Sequence, residues 1–356
     1  MKNFKNDPTL YRDKINKYLE KFFEKKVSQS QKISDFSKQV TQSLADYTMR
    51  GGKRLRPILF LYAYEAANGK INEEIIKLSI FFELIQSSLL IHDDLIDNSD
   101  LRRGKETIHK EYDQVQNDLG QSMAVLIGDI ALNYVYEIIA NAKISQEQKN
   151  NLIKTVSDYI NQVNYGQVMD VVFSKNSKII LEDIEKVNYY KTVTYTTLMP
   201  MLTGAILANA NKKNIKALSQ YAINFGLAFQ ILDDVMGVFG EEKQIGKSVM
   251  SDVTEGKKTF LMFKSLSMAR QEEKKYILSL LGNNKINLEQ YNKLKYIIYK
   301  TGALNVAIEE ATRLMNMAIS KIKKDIIPDR SQKKLISLAM YVLHKDKITL
   351  NFRQKI

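Results

Sequence analysis

The sequence FFELIQSSLLIHDDLID, residues 81–97, is a long apolar stretch that ends in three aspartates. At a helical period its apolar residues cover every face, which predicts a helix that is buried all round. Asp93 and Asp97 are four residues apart and share one face, whereas Asp94 lies about 100° around the axis. Like charges repel each other at this spacing, and the carboxyl end of a helix is already negative. A bound divalent cation would reverse both effects, so the stretch predicts a metal site.

A second apolar stretch also ends in aspartates: FGLAFQILDDVMGVFG, residues 225–240. If the two helices lie side by side, Asp233 and Asp234 bring further carboxylates to the same cavity. All-oxygen sites suit hard cations, and Mg²⁺ in particular is held by a few carboxylates together with substrate phosphates. The nearby histidines, His92 and His109, are too few for a typical zinc site. One such motif can simply end a helix in solvent, but two copies on apolar helices favour a magnesium site.

The composition predicts an all-α fold. The 356 residues are 44% hydrophobic, and only four prolines and fifteen glycines interrupt them, which favours long helices. No alternation of period two and no repeat of fixed length is evident, so a solenoid of helical repeats is the weaker structural alternative. We expect one domain over residues 1–356, a single large bundle of about ten to twelve helices around a central cavity. Helical patterns cover two segments within 1–48, then 58–67, 72–97, 119–142, 147–172, 181–209 with a kink at Pro200, 213–239, 258–281, 288–302, 304–325 and 331–345.

The net charge of +13 indicates an anionic partner, which would be nucleic acid, a membrane surface or a phosphorylated substrate, unless the lysines mainly form a solvated surface. A nucleic-acid or membrane-surface binder would explain the charge but not the aspartates, and no nucleic-acid motif is present. Cysteine is absent, which excludes disulfides and thiolate metal sites. The amino terminus lacks the apolar core of a signal peptide, and no apolar run approaches the roughly 20 residues of a membrane span. We therefore expect a cytoplasmic protein without a transmembrane segment.

Cations are grouped near the aspartates. Arginine matches phosphate groups with two parallel hydrogen bonds, so these groups predict two anion pockets, one bridged through metal and one held directly. No P-loop or GxGxxG turn is present. The groups are Lys53, Arg54 and Arg56 after a double glycine, Arg102 and Arg103 after the first motif, Lys191 beside Thr192, and Lys247 and Lys257 after the second motif.

Five motifs occur in a fixed order between residues 50 and 260: GGKRLRP, LLIHDDLIDNSDLRRG, a mid-helix KT, FQILDDVMGVFG and GK…D…GKK. This set resembles the trans-isoprenyl diphosphate synthase family, of the geranylgeranyl or farnesyl diphosphate synthase type. The resemblance implies an isoprenoid synthase fold, a homodimer and a Mg²⁺-dependent prenyltransferase. Such an enzyme joins isopentenyl diphosphate head-to-tail to an allylic diphosphate, giving geranylgeranyl diphosphate or a shorter or longer product. In the second motif Gly237 replaces the third aspartate, as in similar synthases of archaeal type.

The resemblance also implies roles for matching positions. Asp93, Asp97 and Asp233 would bind three Mg²⁺ ions, whereas Asp94 and Asp234 would act through water or through contacts with the metal ligands. For the allylic diphosphate the implied residues are Arg102, Lys191, Lys247 and Lys257, with Thr192 and Gln230 lining the site. For isopentenyl diphosphate they are Gly52, Lys53, Arg56, Gln86 and Arg103, with Arg353 and Lys355 closing over it. The intact second set argues against a terpene cyclase-like enzyme, and the complete aspartates argue against a silent regulatory subunit.

Product length is predicted from the first helix. The growing chain should run from the aspartates toward the amino end, so Ser88 and Leu89, one turn back, form the first floor of its tunnel. In the family, aromatic residues there stop growth at fifteen carbons. Because Ser88 is small and Leu89 is not aromatic, we expect a product of twenty carbons or more, with Ile85 and then Phe81 or Phe82 as deeper stops.

Overall fold

The computed structural model describes residues 7–174, 180–240 and 250–344. The predicted site residues Lys247, Arg353 and Lys355 lie outside these ranges. The described residues are almost entirely helical, and one strand pair of two residues each interrupts the helices, so the all-α prediction is confirmed. Two compact units are present: unit 1 is Met1–Val156 with Pro200–Asn211, and unit 2 is Ser157–Met199 with Lys212–Ile356.

Unit 1 is built around the predicted central helix, α5. Most of its apolar residues are buried, as predicted, and it packs mainly against α7 and also against α2 and α3. Residues 98–118, which the sequence indicated only as a polar connection, contain the strand pair and a short helix. The elements are α1 Asp7–Gln31, α2 Asp35–Met49, α3 Leu55–Ala66, α4 Glu73–Leu78, α5 Phe81–Ile96, β1 Leu101–Arg102, antiparallel β2 Lys105–Glu106, α6 Ile108–Asp113, α7 Leu119–Asn141 and the start of α8 Gln146–Ser174.

Unit 2 is built around α11, which packs against α16 and against a π-helix. The sequence predicted one helix over 181–209 with a kink at Pro200. Instead the segment contains α9 Leu181–Val187, the π-helix Asn188–Leu198 and α10 Met199–Leu207, which has Pro200 in its first turn and lies mostly in unit 1. The other elements are α11 Lys212–Phe239, α12 Ser251–Thr254, α13 Phe260–Met268, α14 Gln271–Leu280, α15 Leu288–Lys300, α16 Ala303–Lys321 and α17 Asp329–His344.

The π-helix has a visible cause in its threonines. Thr194 Oγ1 donates a hydrogen bond to Tyr190 O at 2.5 Å, and Thr197 Oγ1 donates to Val193 O at 3.0 Å. Such bonds compete with the regular backbone ladder. At the end of the segment the Met199 amide bonds to Thr194 O, five residues back. Since π-helical turns often occur at functional sites, the position of Lys191 and Thr192 within this segment is notable.

Among the described residues, three helical stretches are long and apolar enough to cross a membrane, judged by length and composition only: Glu73–Ile96, Leu119–Asn141 and Lys212–Phe239. The sequence analysis expected none, because it looked for uninterrupted apolar runs. The apolar windows are 72%, 39% and 61% buried, respectively. The second stretch, α7, therefore has less than half of its apolar window fully buried in the isolated chain.

A buried ion pair joins α5 to the glycine turn before α3. Arg54 Nη1 lies 2.5 Å from Glu83 Oε2 and 3.0 Å from Thr48 O, and its Nε donates to Asn16 Oδ1 at 2.8 Å. The side chains of both Arg54 and Glu83 are almost fully buried. Arg54 has a left-handed backbone (φ 50°), so the chain turns sharply there and the side chain points into the protein.

Replacing Glu83 by alanine should leave the buried Arg54 guanidinium without its charge partner. We expect Glu83→Ala to lower the free energy of unfolding by about 3–5 kcal/mol, measured by denaturant unfolding. Glu182→Ala is the matched control, because it removes an exposed pair with Lys186 and should leave the midpoint unchanged. Equal midpoints for Glu83→Ala and the unsubstituted protein would show that this pair does not stabilise unit 1.

Candidate active site

The three aspartates of the first motif have different environments. Asp93 and Asp97 are partly exposed at the carboxyl end of α5, whereas Asp94 has no exposed surface. The helical spacing explains this, since Asp94 points to a different side of the helix from the other two. The exposed pair can therefore reach a solvent-borne ligand, while Asp94 must be satisfied by the protein itself.

Asp94 is satisfied by two side chains from different elements. The Tyr47 hydroxyl of α2 donates to Asp94 Oδ2 at 2.6 Å. Arg102 of β1 donates to Asp94 Oδ1 through Nε at 2.8 Å and also through Nη2. Arg102 Nη2 lies 3.7 Å from Asp93 Oδ2 as well. These bonds fix a guanidinium beside the exposed aspartates.

Burial and ion pairing oppose each other in this cluster, since burial raises the pKa of Asp94 although Arg102 and the bond from Tyr47 act to lower it. Burial alone disfavours the guanidinium cation, but the adjacent Asp94 carboxylate outweighs it and raises the pKa of Arg102. Burial, and next the negative charge of Asp94, raises the pKa of Tyr47 well above its ordinary value. Tyr47 is therefore a neutral donor, and Arg102 keeps its positive charge beside the Asp94 carboxyl group.

The glycine turn and the second arginine after the motif are also brought together in unit 1. Arg103 Nη1 donates to Gly51 O at 2.6 Å, which places Arg103 against the turn that contains Gly52. Lys53 is exposed and Arg56 is partly buried next to the same turn. On α5, Gln86 Oε1 is buried without a hydrogen-bond partner among the described residues. A buried amide oxygen in this state is ready to accept a bond from a ligand or water.

Arg54 does not belong to this group of exposed cations. The sequence analysis counted it with Lys53 and Arg56 as part of an anion pocket. That interpretation of Arg54 is wrong, because its guanidinium is buried and bonded to Glu83. Its left-handed backbone turns the side chain inward, which a pattern of consecutive cations cannot reveal.

The second motif repeats the division between an exposed and a buried aspartate. Asp233 is exposed on α11, while Asp234 is buried and accepts a hydrogen bond from Gln230 Nε2 at 2.7 Å. Gln230 was expected to line the site, and the structure shows that it also holds Asp234. Asp233 alone of this pair projects its carboxylate to solvent.

Lys191 and Thr192 lie in the π-helix, partly exposed. Lys191 Nζ lies 2.5 Å from Asp170 Oδ2 on α8. The two helices approach closely at Gly166, where a Cβ atom would overlap the Lys191 amide nitrogen. Asp170 lies one turn further along α8, which brings its carboxylate to the lysine.

Lys257 pairs with an acidic neighbour, since its Nζ lies 2.6 Å from Glu255 Oε2. Each predicted diphosphate lysine in the described residues thus has a carboxylate beside it. Such pairs hold a flexible lysine in place until a more strongly charged anion competes for it.

The carboxylates of each motif suit magnesium by their chemistry, because Asp93 and Asp97 in unit 1 and Asp233 in unit 2 offer hard oxygen ligands to solvent. Within the described ranges, no group of three or more His, Asp or Glu residues converges closely enough to hold a metal ion by itself. Magnesium commonly completes its shell with water and substrate phosphates, so a few carboxylates suffice. His92 points elsewhere, with Nε2 3.3 Å from Val125 O on α7.

The sequence analysis missed one supporting residue in each unit. Tyr47 precedes the glycine turn in DYTMRGG, and Asp170 ends the sequence GQVMD in α8. A buried stripe that contains one phenol, or a lone carboxylate on a half-buried helix, is too common to stand out. Their roles become visible only through contacts in the structure: Tyr47 bonds to Asp94, and Asp170 pairs with Lys191.

Comparison with known proteins decides the family. The Polyprenyl synthetase family profile matches residues 38–298. This chain belongs to the polyprenyl synthetase family. It is 32% identical over 301 residues to the geranylgeranyl diphosphate synthase of Saccharolobus solfataricus, covering 83% of this chain and 87% of that protein. It is 35% identical over 251 residues to a short chain isoprenyl diphosphate synthase of Methanocaldococcus jannaschii, covering 67% and 70%.

A solved structure supports the same family. The geranylgeranyl pyrophosphate synthase of Corynebacterium glutamicum, complexed with isoprenyl diphosphate and magnesium, matches with a TM-score of 0.86. The two sequences are 27% identical, and the match covers 95% of this chain and 98% of that one. The predicted family, fold class and enzyme class are therefore confirmed: this polyprenyl synthetase is a prenyltransferase.

Replacing Tyr47 by phenylalanine should loosen the arginine beside the exposed aspartates. We expect Tyr47→Phe to raise the Kd for inorganic pyrophosphate in the presence of Mg²⁺ about tenfold, measured by calorimetry. It should also lower the free energy of unfolding by about 1–3 kcal/mol, since a buried carboxylate loses a donor.

Tyr221→Phe is the control, because it also removes a buried hydroxyl bond, of 2.8 Å to Leu335 O, but far along α11 from the second motif. It should reduce stability without changing pyrophosphate binding. If both substitutions left the Kd unchanged, Tyr47 would have only a structural role.

Proposed function

We propose that this polyprenyl synthetase condenses isopentenyl diphosphate with an allylic diphosphate and produces geranylgeranyl diphosphate or a prenyl diphosphate of related length. The observation that carries the proposal is the repeated aspartate arrangement. In both motifs the first aspartate is partly or fully exposed, while the second is buried and bonded to a neighbouring side chain. The geranylgeranyl diphosphate synthase of S. solfataricus supports the product class.

We propose that Asp93, Asp97 and Asp233 bind the Mg²⁺ ions, three per active site. Their exposure supports this assignment, since a metal ion that carries a diphosphate must enter from solvent. Mg²⁺, when bound, stabilises the negative charge that grows on the departing diphosphate. Asp94 and Asp234 act through water or by supporting the metal ligands, and their hydrogen bonds with Arg102 and Gln230 support this role.

Two groups of side chains are proposed for the two diphosphates. Arg102, Lys191, Lys247 and Lys257 bind the allylic diphosphate. Gly52, Lys53, Arg56, Gln86 and Arg103 bind isopentenyl diphosphate. The bond from Arg103 to the glycine turn and the buried Gln86 oxygen support the second group, because both are prepared before any ligand arrives. The Arg103 guanidinium is such a preformed donor, and preformed donors cost little reorganisation when charge develops.

In the proposed reaction the allylic carbon–oxygen bond breaks and its electron pair leaves with the diphosphate. The double bond of isopentenyl diphosphate then attacks the allylic cation, and the released diphosphate accepts the final proton. Arg102 and Lys191 stabilise the leaving group, while the Thr192 hydroxyl and the Gln230 amide direct their dipoles at the cation. The apolar surface of α5 excludes water, which would otherwise capture the cation. No side-chain nucleophile is required.

The proposal is tested by incubating the enzyme with isopentenyl diphosphate, Mg²⁺ and each allylic starter in turn. Chromatography of the dephosphorylated alcohols should show chain elongation. Asp93→Ala should reduce kcat/KM by at least about a hundredfold, because it removes a metal ligand that acts in the transition state. Absence of elongated alcohols with every starter would refute the proposed function, and an Asp93→Ala enzyme of normal activity would refute the metal assignment.

Product length is proposed to depend on α5. Ser88 and Ile85 are buried, and Leu89 is partly buried, one to two turns before Asp93. Deeper along the helix, the rings of Phe81 and Phe82 pack against each other with centroids 4.1 Å apart and planes tilted by 32°. A growing prenyl chain that passes Ser88 and Leu89 would therefore meet Ile85 and then the two phenylalanine rings.

Ser88→Phe should fill the first floor of the tunnel and shorten the product toward fifteen carbons. The expected result is a shift of the main alcohol in the chromatogram, with the consumption of the allylic starter retained. Ser88→Ala is the matched control and should leave the product distribution unchanged. An unaltered distribution in Ser88→Phe would refute Ser88 as part of the floor.

We also propose that the enzyme is a homodimer that pairs through α7. Val125 is 47% exposed and Leu126 is 55% exposed, on an apolar helix whose apolar window is only 39% buried. A second copy would cover this face with an identical face, which is how two-fold dimers form.

Leu126→Glu should bring two like charges together at this interface and shift the enzyme to monomers, measured by light scattering after size-exclusion chromatography. Leu278→Glu, at an equally exposed leucine of unit 2, should not change the mass. A dimer mass retained by Leu126→Glu would argue against the α7 interface.

A further inference from the structure

Unit 2 contains a cavity that the proposed reaction does not use. Its volume is about 440 Å³, which lies within the range of small-molecule sites. Leu227 and Ile231 of α11 line it. By helical geometry these two residues point about 120° and 160° away from Asp233 around the helix axis. The cavity therefore lies on a different face of α11 from the one that carries the outward aspartate.

The inner part of the cavity is apolar. Ile231, Phe260 of α13 and Leu314 of α16 are buried there, and Leu227 is partly buried. Contact with these side chains would remove the hydrocarbon part of a ligand from water, which is favourable in proportion to the apolar area covered.

Two aromatic rings form one wall of the cavity. Tyr189 and Tyr190, at the start of the π-helix, meet edge to face with ring centroids 5.0 Å apart. Burial raises the pKa of Tyr189, so its ring remains a neutral phenol. The face of a neutral aromatic ring attracts an ammonium group. The chain already shows this attraction at the cavity, where Lys264 Nζ lies 5.3 Å from the centroid of the Phe260 ring.

The charged side chains of the lining are more often acidic than basic. Lys186 Nζ lies 2.9 Å from Glu182 Oε1, and Arg313 donates to both carboxylate oxygens of Glu310, at 2.6 and 2.8 Å. Glu185, one turn before Tyr189, is exposed and has no ion-pair partner among the described residues. Both cations of the lining are thus neutralised by glutamates, and one carboxylate is left over in a chain whose net charge is +13.

We propose that this cavity binds a small organic cation, an ammonium group carried on a short hydrocarbon chain. The hydrocarbon packs against Leu227, Ile231 and Leu314, while the ammonium lies between the tyrosine wall and Glu185. Glu185 gains in this way the ion pair that it lacks. An anionic ligand would instead have to separate Lys186 or Arg313 from its glutamate.

The test titrates the enzyme with hexyltrimethylammonium and measures binding by isothermal titration calorimetry. The unsubstituted enzyme should bind with a Kd of about 1 mM or tighter. Glu185→Gln should weaken binding about threefold or more, whereas Arg313→Gln should strengthen it about twofold, because it releases the Glu310 carboxylate. Glu272→Gln, at an exposed glutamate of α14 outside the lining, is the matched control and should leave the Kd unchanged. An excess of hexanesulfonate at constant ionic strength should not displace the cation.

Absence of saturable binding at about 10 mM would overturn the proposal. An unchanged Kd in Glu185→Gln, or equal weakening in Glu272→Gln, would also overturn it, because the cation would then bind elsewhere or respond only to net charge. Weaker binding in Arg313→Gln, or displacement by hexanesulfonate, would show that the lining does not select a cation. The titration needs neither Mg²⁺ nor a prenyl substrate, so its outcome is independent of the proposed function.

Discussion

A carboxylate without solvent contact must be neutralised by the protein, and this constraint fixes the geometry around Asp94. Its two oxygens are divided between Tyr47 and Arg102, which come from α2 and β1. The loop after α5 therefore has to return to the helix end, and the arginine that it carries arrives beside Asp93. Breaking such a cluster by removing one partner leaves a buried charge, which is far more costly than losing an exposed pair. The positions of the exposed aspartate and of its neighbouring cation thus follow from one buried group.

The second motif meets the same constraint by shorter means. Asp234 is bonded to Gln230 from its own helix, one turn earlier, so no distant element has to close over it. The third position of the motif is Gly237, which has no side chain, and the Asp252 carboxylate of α12 lies against it. The two motifs share a division of roles by burial, in which the outward aspartate meets the ligand and the inward one holds the site together. They differ in how their supporting groups are recruited.

Much of this arrangement was predictable from the sequence. The apolar run before Asp93, the repeated aspartates and the scarcity of proline and glycine predicted the helical fold and the site residues on α5 and α11. The side-chain contacts that hold these residues in place were not predictable. Arg54 looks like its neighbours Lys53 and Arg56 in the sequence, but a left-handed backbone turns it into the protein toward Glu83. The π-helix around Lys191 likewise depends on threonine hydroxyls that bond the backbone, and Asp170 reaches Lys191 because Gly166 allows two helices to touch. Such facts depend on tertiary contacts between segments far apart in the chain.

The division of roles by burial is tested most directly by product formation against free Mg²⁺ concentration, with thermal unfolding measured on the same samples. The exposed and the buried aspartate of one motif are compared as Asp93→Asn and Asp94→Asn. The account predicts that Asp93→Asn raises the Mg²⁺ concentration for half-maximal rate about tenfold or more with little change in Tm. Asp94→Asn should lower Tm by several degrees and raise that Mg²⁺ concentration less than Asp93→Asn does, because Asp94 acts on the metal only through Arg102. A Tm loss in Asp93→Asn together with a changed Mg²⁺ requirement only in Asp94→Asn would contradict it.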